Sequence, residues 1–284
     1  MPKLIAFIDG SLYSESVLDH AAWVATTIGA SVDVVHVIGR RDVASADFNL
    51  SGNLEAGAHQ TLLVELAEHD AQRARLAQQR GRVIVDSGVA RLLAAGVGEA
   101  HARLRTGDIV EAVQELEVGA DLILVGKRGE AADFAKLHLG SNLERVARVS
   151  RKPVMVASRA FKPVKRFLVA FDGGPSVMKA IDHIASGSLF PGLPCHMIMV
   201  GKETPEARGK LDAAAATLRR AHYEVEAAIE AGEPEEVISR HAAANGIDLL
   251  VMGAYGHSRV RNLIIGSTTS EMVRSVKIPV MLFR

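Results

Sequence analysis

The chain repeats itself, and the repeat constrains its fold more than any other feature. An apolar run from Leu4 to Ile8 ends at Asp9-Gly10-Ser11, and a second run from Phe167 to Phe171 ends at Asp172-Gly173-Gly174. Asp9 and Asp172 stand 163 residues apart, as do Val37 and Val200, which lie at the ends of the next apolar runs. Gly107 and Gly232 stand only 125 apart, and Gly126 and Gly253 stand 127 apart. A period this long marks a duplicated domain, not a solenoid repeat. A chain of 284 residues also has room for two domains of ordinary size. The fall in offset from 163 to 125 puts 38 extra residues between the second and third strands of the first copy. The expected layout is a first domain over 1–158 with a long helical insertion at about 40–98, a linker from Ser158 to Lys165, and a second domain over 164–284.

Inside each copy, short apolar runs alternate with helical patterns. Leu12, Val17, Ala21, Val24 and Ile28 recur at helical spacing and Gly29 closes the pattern; Val32 to Ile38 is the next apolar run. A strand, helix and strand in this order force parallel pairing and a right-handed crossover. Near-continuous Val, Ile and Leu suits strands buried on both faces. Further strands are expected at Ala102–Arg105, Asp121–Val125 and Pro153–Ala157, then at His196–Val200, Val225–Glu230, Asp248–Met252 and Pro279–Phe283. Within the insertion, Arg40 to Gly52 reads as a loop. Leu54 to Gln79 reads as one or more amphipathic helices, and the pattern continues from Val83 to Ala95, with Gly81 and Gly88 as places where it can break. The fold class is α/β, with two tandem open parallel sheets, each wound on both faces.

Composition closes off several functions. Lys plus Arg and Asp plus Glu both number 33, which argues against nucleic acid or an anionic membrane as the main partner. The single cysteine, Cys195, excludes an internal disulfide and reads as a small buried hydrophobe. His59 and His69 lie in the helical insertion without any metal-ligand spacing, and read as solvated. The start, MPKLIAFIDG, reads as a strand and not a signal peptide, and no apolar run is long enough to span a bilayer, so a cytoplasmic location is expected.

The stretch from Met252 to Thr269 carries the chemistry. It combines a strand end, a glycine-punctuated loop and a helix start, with Gly253, two residues, Gly256, nine residues, then Gly266-Ser267. Glycines let backbone approach a bulky ligand. A helix N-terminus offers unpaired N–H groups and the positive end of a dipole, and the two together make a phosphate cradle. The spacing is neither the P-loop nor the dinucleotide fingerprint. In an open α/β sheet the ligand sits beyond the carboxyl ends of the strands, where Asp172, Val200, Gly232 and this loop should converge. Asp172 is a candidate for a ribose hydroxyl or an adenine edge, or else a turn residue. The Val200 backbone is a candidate for an adenine edge, or else plain core. Thr268 is a reserve donor. Tyr255 can stack or merely cover the loop, and His257, Arg259 and Arg261 meet phosphate or form a solvated face.

The glycine-x2-glycine-x9-glycine-serine pattern resembles the ATP-binding signature of the universal stress protein family, and the resemblance extends over both copies. It implies an adenine nucleotide α-hydrolase-like, Rossmann-like fold. It also implies ATP binding, often with a divalent ion such as magnesium or manganese, and dimers joined through the last strand. Carried over, the nucleotide site is Asp172, Val200, Gly253, Gly256, Gly266, Ser267 and Thr268. The first copy has Asp9, Val37, Gly126, Gly129, Gly140 and Ser141, but ten residues in place of nine before Gly140. That difference makes it the weaker expected site. No catalytic constellation and no metal ligands stand out. The implied function is an ATP-binding stress-response regulator acting through conformation or through a protein partner that the sequence does not identify. The alternatives are a slow ATPase or nucleotidyl-transfer enzyme, and a nucleotide-free dimeric scaffold. The chain is expected as a homodimer or as an internal pseudo-dimer.

Overall fold

A computed structural model describes the backbone of residues 1–39, 56–128, 141–254 and 267–284, and their side chains except at 56–62, 141, 267 and 268. The first half runs β1 (Lys3–Phe7), α1 (Leu12–Ile28), β2 (Ser31–Ile38), α2 (Ala56–Ala94), β3 (Ala100–Thr106), α3 (Ile109–Leu116), β4 (Leu122–Gly126), α4 (Ser141–Val149) and β5 (Val154–Ala157). The second runs β6 (Phe167–Ala170), α5 (Pro175–Ser186), β7 (Cys195–Val200), α6 (Pro205–Arg220), β8 (Val225–Glu230), α7 (Pro234–Ala244), β9 (Leu249–Gly253), α8 (Ser267–Ser275) and β10 (Val280–Phe283).

The ten strands form one sheet in the order β3-β2-β1-β4-β5-β10-β9-β6-β7-β8. All pairings inside each half are parallel, and the join between β5 and β10 is antiparallel. Met155 faces Met281 across that join, with Val154 opposite Leu282 and Val156 opposite Val280. The register is self-complementary: at an offset of 126 residues Met155 pairs with its own counterpart, and Val154 and Val156 pair with each other's counterparts, across an approximate two-fold through the methionine pair. Two apolar edge strands that would otherwise expose unpaired N–H and C=O groups satisfy each other. Both are fully buried. Charges on the outermost strands, Arg103 and Arg105 on β3 and Glu226 and Glu230 on β8, suit the edges that remain.

Two apolar layers cover the sheet. One packs α1, α2, α5 and α6 against one face, through residues such as Val17, Leu92, Ile181 and Leu211; the other packs α3, α4, α7 and α8 against the opposite face, through Val113, Val146, Ile238 and Met272. Local signals set the helix ends. Ser11 caps α1 by accepting the Tyr13 N–H, Gly29 ends it in the left-handed conformation, and Asp108 caps α3 by accepting the Val110 N–H at 2.8 Å. The Asp108 carboxyl is held below its ordinary pKa chiefly by its hydrogen bond from Arg145.

The insertion departs from expectation. Gly81 and Gly88 do not break it, because α2 is one helix of 39 residues. A Cβ built on Gly81 would lie 2.6 Å from Leu104 Cδ1, and one on Gly88 would lie 2.9 Å from Val34 Cγ1. Gly81, Val85, Gly88 and Leu92 share one helix face, and the missing side chains let that face sit directly on the sheet. The helix keeps two glycines at a propensity cost of about 1 kcal/mol each, offset by the contact they permit. Strand β3 is also longer than Ala102–Arg105, the range expected from the sequence. The expected loop at 40–52 lies outside the described residues.

Candidate functional site

The helices change face at the middle of each half. In the second half, α5 follows β6 on one face and α8 follows β9 on the other. The neighbouring strands β6 and β9 therefore flank a crevice at their carboxyl ends, where open α/β sheets hold ligands. Asp172 stands two residues beyond β6 and is exposed, while Gly253 closes β9. The Asp172 carboxylate accepts the Gly174 N–H at 2.8 Å, which turns the chain into α5. Gly173 supports that turn with φ of 72°, as Gly10 does with 80° in the first half.

Strand alternation settles where the Val200 backbone points. The Ile198 carbonyl accepts the Phe171 N–H at 2.8 Å, so Ile198 turns its backbone groups toward β6. Gly201 N–H donates to the Glu230 carbonyl at 2.9 Å, so Gly201 turns toward β8. Val200, between them, turns its N–H and C=O back toward β6, but past the end of that strand. Its peptide groups thus face the crevice beside Asp172. Val37 repeats the geometry, since the Val35 carbonyl accepts from Ile8 at 2.9 Å and the Ile38 carbonyl accepts from Gly107 at 2.9 Å.

Helix α8 starts at Ser267 and α4 at Ser141, the serines of the two glycine-rich stretches. Buried Thr269 donates its hydroxyl to the Ala254 carbonyl at 3.2 Å and ties the start of α8 to the end of β9. Gly256, Gly266, Gly129 and Gly140 lie outside the described residues, as do Tyr255, His257, Arg259 and Arg261; so do the side chains of Ser267, Thr268 and Ser141. At the remaining predicted positions, Asp172, Val200 and Gly253 stand at the carboxyl ends of the adjacent strands β6, β7 and β9, and Asp9, Val37 and Gly126 at those of β1, β2 and β4.

The two crevices differ in ways the sequence reading missed. A Cβ on Gly126 would meet Tyr13 Cβ at 3.0 Å and the Arg128 carbonyl at 3.2 Å, so α1 crosses close over the end of β4. At the offset of 163 the second half has Ser176 in place of Tyr13. Asp9 accepts from the Ser11 N–H at 3.0 Å and the Ser14 hydroxyl at 3.2 Å, whereas Val177 occupies the position of Ser14 in the second half. Lys127, next to Gly126, directs its ammonium to the Val276 carbonyl at 2.5 Å, past the end of α8 in the other half. Burial, aided by Arg128, lowers its pKa to about 8. Among the described residues, no group of three or more His, Cys, Asp or Glu side chains is placed to hold a metal ion.

A model of the universal stress protein family matches residues 1–158 and 196–284. The chain belongs to the universal stress protein family. It is 36% identical to the universal stress protein Slr1230 of Synechocystis over 287 residues, with both chains covered in full. It is 28% identical over 83 residues to the universal stress protein MJ0577 of Methanocaldococcus jannaschii, covering 29% of this chain and 51% of that one. The crystal structure of a universal stress protein from Archaeoglobus fulgidus superposes with a TM-score of 0.75 at 21% identity, covering 99% of this chain and 96% of that one. The tandem α/β architecture is thus that of the family. Among the described residues, no helix is long and apolar enough to cross a membrane.

Proposed function

We propose that this universal stress protein binds an adenine nucleotide in the second-half crevice and works as a cytoplasmic regulator. The observation that carries the reading is the turning of the Val200 peptide groups into the crevice beside exposed Asp172, between β6 and β9. A backbone donor and acceptor at a fixed spacing match the edge of an adenine, and a carboxylate nearby suits ribose hydroxyls. The Gly253-to-Ser267 stretch, with its helix start, would take the phosphates. ATP with magnesium or manganese is the ligand this arrangement fits best, the ion held by phosphates and water. Turnover is expected to be slow, because phosphoryl transfer needs cations and a group to orient the nucleophile, and the sequence supplies no carboxylate or glutamine beside the motif. Nucleotide occupancy would then act through conformation, a partner protein or self-association.

Mass spectrometry of the nucleotide released on denaturing freshly purified protein tests the reading, followed by calorimetric titration with ATP, ADP and cyclic AMP. Release of an adenine nucleotide and saturable ATP binding are expected. Absence of both would leave the dimeric scaffold as the better account. Steady-state turnover within the kinase range of about 1–100 s⁻¹, lost in Ser267→Ala, would make the protein an enzyme.

A further inference from the structure

A cleft of about 190 Å³ lies where the two halves meet, away from both nucleotide crevices. Val24 and Ile28 at the end of α1 form one wall, Ile184 and Phe190 from the second half form the other, and Met281 of the joining strand lies between them. The polar groups at its border are His183, Ser188 and Asp121.

The duplication says what such a place accepts. The offset of 163 residues carries His183 to His20, and the offset of 126 carries Met281 to Met155, its partner across the join. At His20 an aromatic ring of the linker meets the imidazole. Phe161 of the linker lies edge-on to the imidazole, ring centres 5.0 Å apart and planes at 85°. Val164 of the same linker is buried in that core. The linker runs on from β5 into β6 and so serves only the His20 side. At His183, Phe283 packs on the imidazole with centres 5.3 Å apart, but it does not line the cleft.

We propose that the cleft beside His183 is a binding site for a small aromatic molecule with one ring and one hydroxyl, seated as Phe161 is seated at His20. The size agrees, since an apolar cavity of about 150 Å³ holds a benzene ring. The walls supply apolar contact from both halves, and the imidazole supplies a hydrogen-bond partner for the hydroxyl. Burial holds His183 below its ordinary pKa while Asp121 acts in the opposite sense, and a neutral ring both donates and accepts. Because the walls come from different halves, an occupant would brace the join.

The test uses the full chain and p-cresol, followed by calorimetry and by the imidazole NMR resonances of His183. Saturable binding that shifts those resonances is expected. Ile28→Trp, which fills the cleft from α1, should abolish it. His183→Leu should reduce the preference for p-cresol over toluene by about two- to tenfold, the effect of one hydrogen bond. The saturated analogue 4-methylcyclohexanol should bind about two- to tenfold more weakly than p-cresol, the effect of an edge-to-face contact. No saturable binding by the wild-type chain overturns the proposal, as does unchanged binding in a folded Ile28→Trp. Equal affinity for the saturated analogue overturns the aromatic assignment. Sedimentation in which p-cresol competes with self-association would give the cleft to a second copy, and the small-molecule site would fall.

Discussion

The two halves share one strand order and one winding, yet they spend corresponding positions differently. In the first half Asp33, fully buried on β2, sits between Lys3, 2.8 Å from its carboxylate, and Arg103. At the offset of 163 the second half has His196, whose Nδ1 lies 3.0 Å from His241 Nε2, with Glu226 at 3.7 Å. A charge cluster has been exchanged for a histidine pair at one place in the sheet. Elsewhere the sign is simply reversed, since Arg105 pairs with Glu115 at 2.7 Å and its counterpart Glu230 pairs with Arg240 at 3.0 Å. The crevices diverge too: the first has Tyr13 over Gly126 and an aspartate engaged by Ser14, and the second has Ser176 and Val177. Buried apolar positions hold the architecture constant, and polar positions are free to differ wherever each half satisfies its own partners.

The largest effect tests whether the halves are independent at all. Deleting Met281 to Arg284 removes most of the strand that pairs with both β5 and β9. Both halves should lose stability together, seen as one cooperative transition shifted to lower temperature. An unchanged melting of the first half would show that the join is a weak contact between separate domains.

The next effect concerns the crevices. Gly253→Ala places a Cβ at the end of β9, where close approach of phosphate is proposed, and should weaken ATP binding by at least about a hundredfold, or 2.7 kcal/mol. Gly126→Ala should leave ATP affinity nearly unchanged but lower stability slightly, because its Cβ would press on Tyr13. Calorimetry of both variants checks this, and loss of the main binding event only in Gly126→Ala would reverse the assignment of the working half.

Asp33→Ala should destabilise the chain by about 1–3 kcal/mol in urea unfolding. That is below the 3–5 kcal/mol expected for a fully buried pair, since Lys3 and Arg103 keep contact with water. His196→Asn should cost less at neutral pH. It should also flatten the acid limb. Burial lowers the His196 pKa, with Glu226 opposing, so the folded form resists protonation; the stability it contributes is present above the unfolded histidine value and is lost as pH falls through the folded one. Equal acid sensitivity in the wild type and His196→Asn would remove the histidine pair from that account.

The smallest effect lies at alkaline pH. Folded Lys127 loses its proton near pH 8 and the unfolded side chain near 10.5, so the unfolded state binds more protons in between. Stability should therefore rise across that window relative to Lys127→Met, by about 1 kcal/mol once partial exposure is allowed for. Thermal unfolding at a series of pH values reads the difference, and parallel curves for the two proteins would show that Lys127 does not titrate there.

The sequence by itself determined the duplication, the parallel order and most element boundaries, because burial on both faces writes itself as unbroken Val, Ile and Leu, and helix starts carry their own caps, as at Ser11 and Asp108. It also placed Asp172, Val200 and Gly253, three of the seven positions proposed for the nucleotide, at strand ends. Tertiary structure alone decided what depends on distant neighbours. Gly81 and Gly88 look like helix breakers until Leu104 and Val34 are seen pressing on them. Tyr13 has no local signature that sets it over Gly126, and nothing near Lys127 in the chain announces Val276, 149 residues away. Backbone preference is local and legible from a few residues, whereas close approach and long reaching side chains are set by the packing of elements far apart in sequence.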